Sequence, residues 1–182
     1  MRISEDAYIP EEQIMLKELT HVCIVVRDVD ATVRRLVQKF HIGPFTLRTV
    51  HTPESRGSVR GVPQAYSLRF AYARMGPVML ELVQPLDGTS LYSEYLEQHG
   101  EGVHHLGFPG RGRLDETLEL WKKNDIEPLM VNRRPDARYG WAYMDTQDVA
   151  GCIFEVVCDP PLGWWDFDQL REEVSGHAPG DH

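Results

Sequence analysis

The stretch MLELVQPLDGTSLYSEYLEQHGEGVHHLGF, residues 79 to 108, decides the fold. It begins with an apolar strand interrupted by one acidic residue, Glu81. It continues through a short helix over Thr89 to Gln98, which Gly100 closes, and ends in a second apolar strand over Val103 to Phe108. A new strand begins directly after the helix, which indicates a junction between two structural units.

The residues before this junction form the first unit. The β-branched run LTHVCIVV, Leu19 to Val26, predicts a strand, and a helix that Asp28 or Asp30 can cap follows it and ends at Gly43-Pro44. The segment TPESRGSVRGVPQ, 52 to 64, is rich in Gly, Pro and Arg and predicts a loop. Three more strands complete the unit: Phe45 to Val50, Ala65 to Met75, and Val78 to Gln84.

The residues after the junction repeat this order. The strand Val103 to Phe108 leads to a helix over Leu114 to Asn124, then to strands over Pro128 to Asn132, Tyr139 to Asp145, and Cys152 to Cys158. We therefore predict an α+β fold of two tandem βαβββ modules, with a cupped mixed sheet around a metal site and helices on its outer face. The predicted organisation is an N-terminal extension (1–14), a single domain (15–160) and a C-terminal tail (161–182). Within the domain we predict module one over 15–86, a linker helix over 88–100 and module two over 102–160.

The two units also match in their polar residues. His21 precedes the apolar run of the first strand in one unit, and His105 does so in the other. One glutamate lies among the apolar residues of each last strand, Glu81 and Glu155. A carboxylate in such a strand is costly unless it is compensated, and two paired units can bring all four side chains together. Two imidazoles and two carboxylates suit a divalent ion such as Zn, Ni, Co, Mn or Fe.

His104 is the alternative to His105. Adjacent residues on a regular strand face opposite sides, so we expect one ring of the pair on each face. His105 is preferred because, like His21, it directly precedes the apolar run.

Composition narrows the functional classes. Nineteen basic residues against 28 acidic ones give a formal net charge of -9, which disfavours nucleic acid and anionic membranes as partners. No apolar run reaches the roughly 20 residues of a spanning helix, and the sequence predicts a cytoplasmic protein. Three cysteines without a CxxC pair suggest neither a disulfide framework nor a cysteine zinc site.

Three segments carry a family resemblance. THVCIVVRDVDATVRRLVQKFHIGPF, the central stretch quoted above, and YMDTQDVAGCIFEVV resemble the vicinal-oxygen-chelate (glyoxalase/bleomycin resistance/dioxygenase) superfamily, in particular its methylmalonyl-CoA epimerase-like branch. The resemblance covers roughly residues 18 to 158. It implies metal ligands at His21, Glu81, His105 and Glu155. Epimerases of the family often have glutamine at the position of Glu81, so this donor set resembles that of bacterial glyoxalase I.

The resemblance implies an epimerase or racemase that inverts a stereocentre next to a carbonyl group through an enolate. Glu155 is the expected proton-transferring residue. The family's second carboxylate is missing, since no Asp or Glu lies between Glu54 and Glu81. The groups weighed for its role are His51, Glu54, Tyr66 and Tyr72.

The substrate is left open between an acyl-CoA, such as methylmalonyl-CoA, and a small aromatic ketone, such as an isoflavanone. Met79 and Val83, on the face of Glu81, and Trp141 and Tyr143, before the closing loop, are the expected substrate-binding residues. The tail aromatics Trp164 and Trp165 are further pocket candidates. Because small proteins of this class bury exposed sheet edges by dimerising, we expect a homodimer.

Three other activities use related scaffolds. A glyoxalase I-type isomerase would use the same four ligands on a thiol adduct. An extradiol dioxygenase has two histidines and one glutamate in one module, against which the division of ligands between two modules argues. A non-enzymatic ligand-binding protein of the antibiotic-resistance type would bind its ligand without the metal.

Overall fold

The computed structural model describes residues 13–158, so the predicted tail with Trp164 and Trp165 lies outside the described residues. This part of the chain forms one mixed sheet of ten strands in the order β2-β5-β6-β1-β7-β10-β9-β8-β3-β4, with four helices. The strands are β1 His21–Val25, β2 Thr46–Thr52, β3 Gly57–Val59, β4 Val62–Pro63, β5 Tyr66–Met75, β6 Val78–Gly88, β7 Gly102–Pro109, β8 Pro128–Arg133, β9 Gly140–Met144 and β10 Ile153–Cys158. The helices are α1 Val29–Phe40, α2 Leu91–His99, α3 Leu114–Lys122 and α4 Gln147–Ala150.

The sheet contains the same four-stranded arrangement twice. In the first, β1 pairs in parallel with β6, which continues to β5 and β2; in the second, β7 pairs in parallel with β10, which continues to β9 and β8. The two arrangements meet where β1 and β7 pair antiparallel. This pairing creates a pseudo-two-fold axis at the centre of the sheet. The α+β fold with tandem βαβββ units is confirmed.

Two of the helices cover the outer face of the sheet. The Asp28 side chain caps α1 by accepting a hydrogen bond from the Ala31 amide at 2.8 Å, and the apolar stripe of α1 packs on β5 and β6. Leu114 and Trp121 of α3 pack likewise on β9 and β10. Helix α2 differs, because Tyr92 joins the inner-face cluster formed by residues from both modules. Within residues 13–158, no helix is both long and apolar enough to cross a membrane.

The segment predicted as a loop contains a small hairpin, which is a correction to the sequence analysis. Strand β3 does not join its own module but pairs with β8 at the far end of the sheet, and β4 pairs with β3. Four residues, 53 to 56, therefore connect the two outer regions of a curled sheet. The sheet has ten strands instead of eight because this hairpin extends module two.

A buried asparagine holds these two regions together. The Asn132 amide on β8 donates hydrogen bonds to Oγ1 of Thr52 at 2.8 Å and to the hydroxyl of Tyr66 at 3.0 Å. All three residues are buried, and the two acceptors belong to module one. Asn132 therefore closes the curled sheet across the modules.

We expect Asn132→Leu to lower the free energy of unfolding by about 1 to 3 kcal/mol, because it leaves buried hydroxyl groups without their donor. Urea unfolding measures the change. Asn124→Leu is the matched control, since the Asn124 amide donates to the Leu120 carbonyl at an exposed position, and it should stay within about 0.5 kcal/mol of the wild type. Equal effects of the two substitutions would contradict a closing role for Asn132.

Candidate metal centre

Two lateral rows of residues cross the inner face of the sheet and contain the predicted ligands. The first row follows the strand pairing from β5 to β10 and consists of Tyr72, Glu81, Cys23, His105 and Ile153. Residues directly opposite each other on paired strands point to the same face of the sheet. One histidine and one glutamate of the set therefore stand on either side of a cysteine.

The second row lies beside the first and runs from β6 to β9. It consists of Met79, His21, Gly107, Glu155 and Tyr143. The pseudo-two-fold axis exchanges the two rows, pairing Tyr72 with Tyr143, Glu81 with Glu155, Cys23 with Gly107, His105 with His21, and Ile153 with Met79. The glutamates thus reach the site from opposite sides of the axis.

Each of the two glutamates lies no more than 3.8 Å from both histidines. Nε2 of His21 lies 3.0 Å from Nε2 of His105 and 2.7 Å from Oε2 of Glu155. Nε2 of His105 lies 3.3 Å from the same Glu155 oxygen. Oε2 of Glu81 lies 3.8 Å from Nε2 of His21 and 3.5 Å from Nε2 of His105. The structure brings together all four residues that the sequence analysis named as ligands.

This arrangement fits a divalent ion. Nitrogen and oxygen ligands about 2.1 Å from one ion stand about 3.0 to 3.4 Å apart, and the observed distances lie on either side of that range. His21, Glu81 and His105 offer ligand atoms that all lie within 4.8 Å of one another. Oε2 of Glu81 is buried and has no hydrogen-bond partner among the described residues. An ion at the centre would complete the coordination that this oxygen lacks.

The buried negative charges of the two glutamates also favour a bound cation. Burial alone would raise the pKa of the Glu155 carboxyl, but the adjacent His105 and His21 hold it well below its usual range. Burial alone would lower the pKa of His105, but the Glu155 and Glu81 carboxylates outweigh it and raise the pKa to about 9. The buried carboxylates therefore require positive charge between them, which a divalent ion supplies.

The outer nitrogens of both histidines have partners. Nδ1 of His21 lies 3.0 Å from Oγ1 of Thr20, and Nδ1 of His105 lies 2.9 Å from Nδ1 of His104. Burial, together with the charge of His105, lowers the pKa of His104 to about 3, so His104 is neutral. These contacts orient the rings so that both Nε2 atoms point into the site.

The orientation of His104 corrects the sequence analysis, which expected it on the opposite face from His105. Cys23 pairs with His105, but the next residue of β1, Ile24, pairs with Val103. His104 is therefore the extra residue of a β-bulge. A bulge interrupts the alternation of side chains, and both imidazoles point towards the inner face.

Comparison with known proteins identifies the family. The model of the Glyoxalase/Bleomycin resistance protein/Dioxygenase superfamily matches residues 19–144. The chain belongs to this superfamily. Among curated proteins, the uncharacterized Bacillus subtilis protein YqjC is 30% identical over 95 residues, which cover 50% of this chain and 64% of that protein. The chain thus matches less than two thirds of the length of this relative.

Solved structures agree with the superfamily fold. A Streptomyces coelicolor methylmalonyl-CoA epimerase variant in complex with 2-nitronate-propionyl-CoA is 21% identical and has a TM-score of 0.59 over 81% of this chain and 97% of that chain. The Mycobacterium tuberculosis methylmalonyl-CoA epimerase is 18% identical and has the same TM-score over 85% of this chain and 95% of its own. At this identity the likeness shows that the fold is shared.

The residues expected to bind substrate all lie on the inner face. Met79 and Val83 are buried in the cluster shared by both modules, and Trp141 is half-buried against it. Tyr143 is buried opposite Glu155, with its ring centroid 5.1 Å from that of His105.

The residues considered for the second proton transfer differ in their exposure and in their contacts. His51 and Glu54 are exposed, and Tyr66 is bound to Asn132. Tyr72 is buried on the strand next to Glu81, inside the first row. The sequence analysis missed Tyr92 of α2, which hydrogen-bonds through its hydroxyl to Tyr143. It could not have found this residue, because nothing in the sequence of α2 shows that the helix packs on the inner face.

Proposed function

We propose that this protein is a metal-dependent epimerase or racemase that inverts a stereocentre next to a carbonyl group. The observation that carries the proposal is the buried set of His21, His105, Glu81 and Glu155, which the pseudo-two-fold axis divides between two sides of one centre. Inversion requires a proton to leave one face of the reacting carbon and a proton to return to the other face. The epimerase fold of the structural neighbours supports the same reaction class.

In this proposal the four side chains hold one divalent ion. When bound, the ion would supply Lewis-acid stabilisation of the negative charge that develops on the substrate carbonyl oxygen. The protein contributes a water-poor setting for this charge, since each ligand is at most 5% exposed.

Glu155 is the proposed base. Oε2 of its carboxylate lies 2.7 Å from Nε2 of His21, inside the donor set. It would take the proton as the C–H bond breaks, leaving the electron pair in an enolate. Return of a proton to the opposite face of the carbon would complete inversion. Tyr72, which lies on the module-one side, or a water molecule is the proposed donor of that proton, because Glu81 bound to the ion as a carboxylate carries none.

The substrate class remains a proposal with two members. A methylmalonyl-CoA-type thioester agrees with the ligand in one structural neighbour. A flat aromatic ketone agrees with the tyrosines and Trp141 on the inner face. We also propose a homodimer, since β2 and β4 are the outermost strands of the curled sheet and have exposed residues.

Metal analysis and proton exchange test the proposal together. We expect the purified protein to retain about one divalent ion per chain, and His21→Ala and His105→Ala to lose it, because each removes a ligand. The metal-loaded protein, incubated in deuterium oxide with an acyl-CoA or an isoflavanone, should exchange the α-proton of its substrate, as measured by NMR.

The outcomes separate the alternatives. Retention of the ion by both variants would contradict the ligand assignment. Turnover that occurs only with a thiol adduct would identify a glyoxalase-type isomerase, and oxygen uptake would identify a dioxygenase. Ligand binding by a protein that takes up no metal would indicate a binding protein.

A further inference from the structure

The two halves of the donor set differ at one position. Cys23 stands between His105 and Glu81 in the first row, where the second row has Gly107 between His21 and Glu155. The other members of the rows correspond closely across the pseudo-two-fold axis. Cys23 and Gly107 are therefore the place where the site departs from symmetry.

The glycine allows close contact in the second row. A Cβ atom added at Gly107 would lie 1.9 Å from Cε1 of His21, so the imidazole ring occupies the space of the missing side chain. From this position Nε2 of His21 reaches Oε2 of Glu155 at 2.7 Å. The absence of a side chain thus permits the shortest carboxylate contact in the cluster.

The equivalent contact in the first row, where a cysteine replaces the glycine, is longer. Nε2 of His105 and Oε2 of Glu81 are the equivalent atoms, and they stand 3.5 Å apart. The cross-row distances show the same inequality, since Glu81 lies 3.8 Å from His21 whereas Glu155 lies 3.3 Å from His105. In both comparisons Glu81 is the carboxylate that stands farther away.

The thiol is fully buried against Glu81. Cys23 is 0% exposed, and the strand pairing places it directly between Glu81 on β6 and His105 on β7. Cys23 is therefore placed to act on two of the proposed ligands.

We propose that Cys23 is a positioning residue that holds Glu81 back from the histidines and makes Glu81 the weaker of the two carboxylate ligands. This inference rests on the proposed metal site and deepens it. A loosely held Glu81 would be the ligand that yields its position to a substrate oxygen. Oε2 of Glu81 is buried and has no hydrogen-bond partner among the described residues, so no hydrogen bond within them fixes it near the histidines.

Metal affinity of Cys23 variants tests the inference. We expect Cys23→Ala to bind Zn²⁺ or Co²⁺ about tenfold more tightly than the wild type, because Glu81 is released to approach the ion. Tenfold corresponds to about 1.4 kcal/mol. Cys23→Ser keeps a donor beside Glu81 and should stay within about threefold of the wild type.

Cys158→Ala is the matched control. Its thiol is equally buried but contacts Oγ1 of Thr117 beneath α3, away from the donor set. This variant should bind metal as the wild type does. The absorption spectrum of the Co²⁺ protein adds a readout of coordination: the visible bands should change in Cys23→Ala and remain unchanged in Cys158→Ala.

The results that would contradict the inference can be told apart from failure of the proposed metal site. If the wild type binds one ion and Cys23→Ala binds it no more tightly, the positioning role is overturned and the proposed metal site stands. A sulfur-to-cobalt charge-transfer band in the wild type that disappears in Cys23→Ala would show that Cys23 is itself a ligand, which also overturns the inference. If the wild type takes up no metal, the proposed function fails together with it.

Discussion

Glu155→Gln should reduce exchange of the substrate α-proton by about 10²- to 10⁴-fold, the range that general acid–base groups contribute. The amide keeps the size of the side chain and one oxygen that can face the ion, but it cannot take a proton. Exchange into the preferred substrate in deuterium oxide, followed by NMR, measures the effect. Metal content must be determined in the same sample, because the substitution also alters a ligand.

Glu81→Gln is the matched control for this prediction. It makes the same change at the position that the pseudo-two-fold axis relates to Glu155, and it creates the glutamine that the resembling epimerases often have there. We expect this variant to retain exchange of the proton that Glu155 removes. A metal-replete Glu155→Gln protein that exchanges at the wild-type rate would exclude Glu155 as the base.

Gly107→Ala should weaken metal binding by about 100-fold or more, although the substitution adds only one methyl group. The new Cβ would stand 1.9 Å from the imidazole ring of His21, and the ring cannot remain where it is. Because His21 makes the shortest carboxylate contact of the cluster, its displacement disturbs two of the four ligands. The expected loss is at or beyond the upper end of what outer-shell substitutions cost.

Gly102→Ala controls for adding a methyl group to the same strand. A Cβ at Gly102 would approach the hydroxyl of Tyr95 at 3.0 Å, where the end of a side chain can move aside. Its metal affinity should stay within about twofold of the wild type. Circular dichroism establishes that both variants are folded. A folded Gly107→Ala protein with unchanged metal affinity would mean that the position of His21 does not set the strength of binding.

Much of the fold follows from local sequence. The apolar strands and the capped helix α1 have enough residues for their periodicity to be visible, and their order repeats. The hairpin of β3 and β4 could not be found in this way. Its strands have three and two residues, and β3 is held by β8, roughly seventy residues farther along the chain. Tertiary pairing alone creates this element.

The candidate metal site was also only partly predictable from the sequence. His21, Glu81, His105 and Glu155 were visible because they interrupt apolar runs at matched places. The orientation of His104 was not visible, because it depends on a bulge that arises from the register between β1 and β7.

The difference between Cys23 and Gly107 was present in the sequence. Each lies two residues after its histidine. The structural consequence of this difference could not be predicted, because it depends on the strand pairing that places each residue between a histidine and a glutamate.

The pairing of β3 with β8 has a consequence for synthesis of the chain. Residues 57 to 59 leave the ribosome well before residues 130 to 132, to which they hydrogen-bond. The hairpin of β3 and β4 is therefore synthesised before its partner strand β8. It can complete its strand pairing only after the second half of the chain has been made. Such late, long-range pairing slows folding.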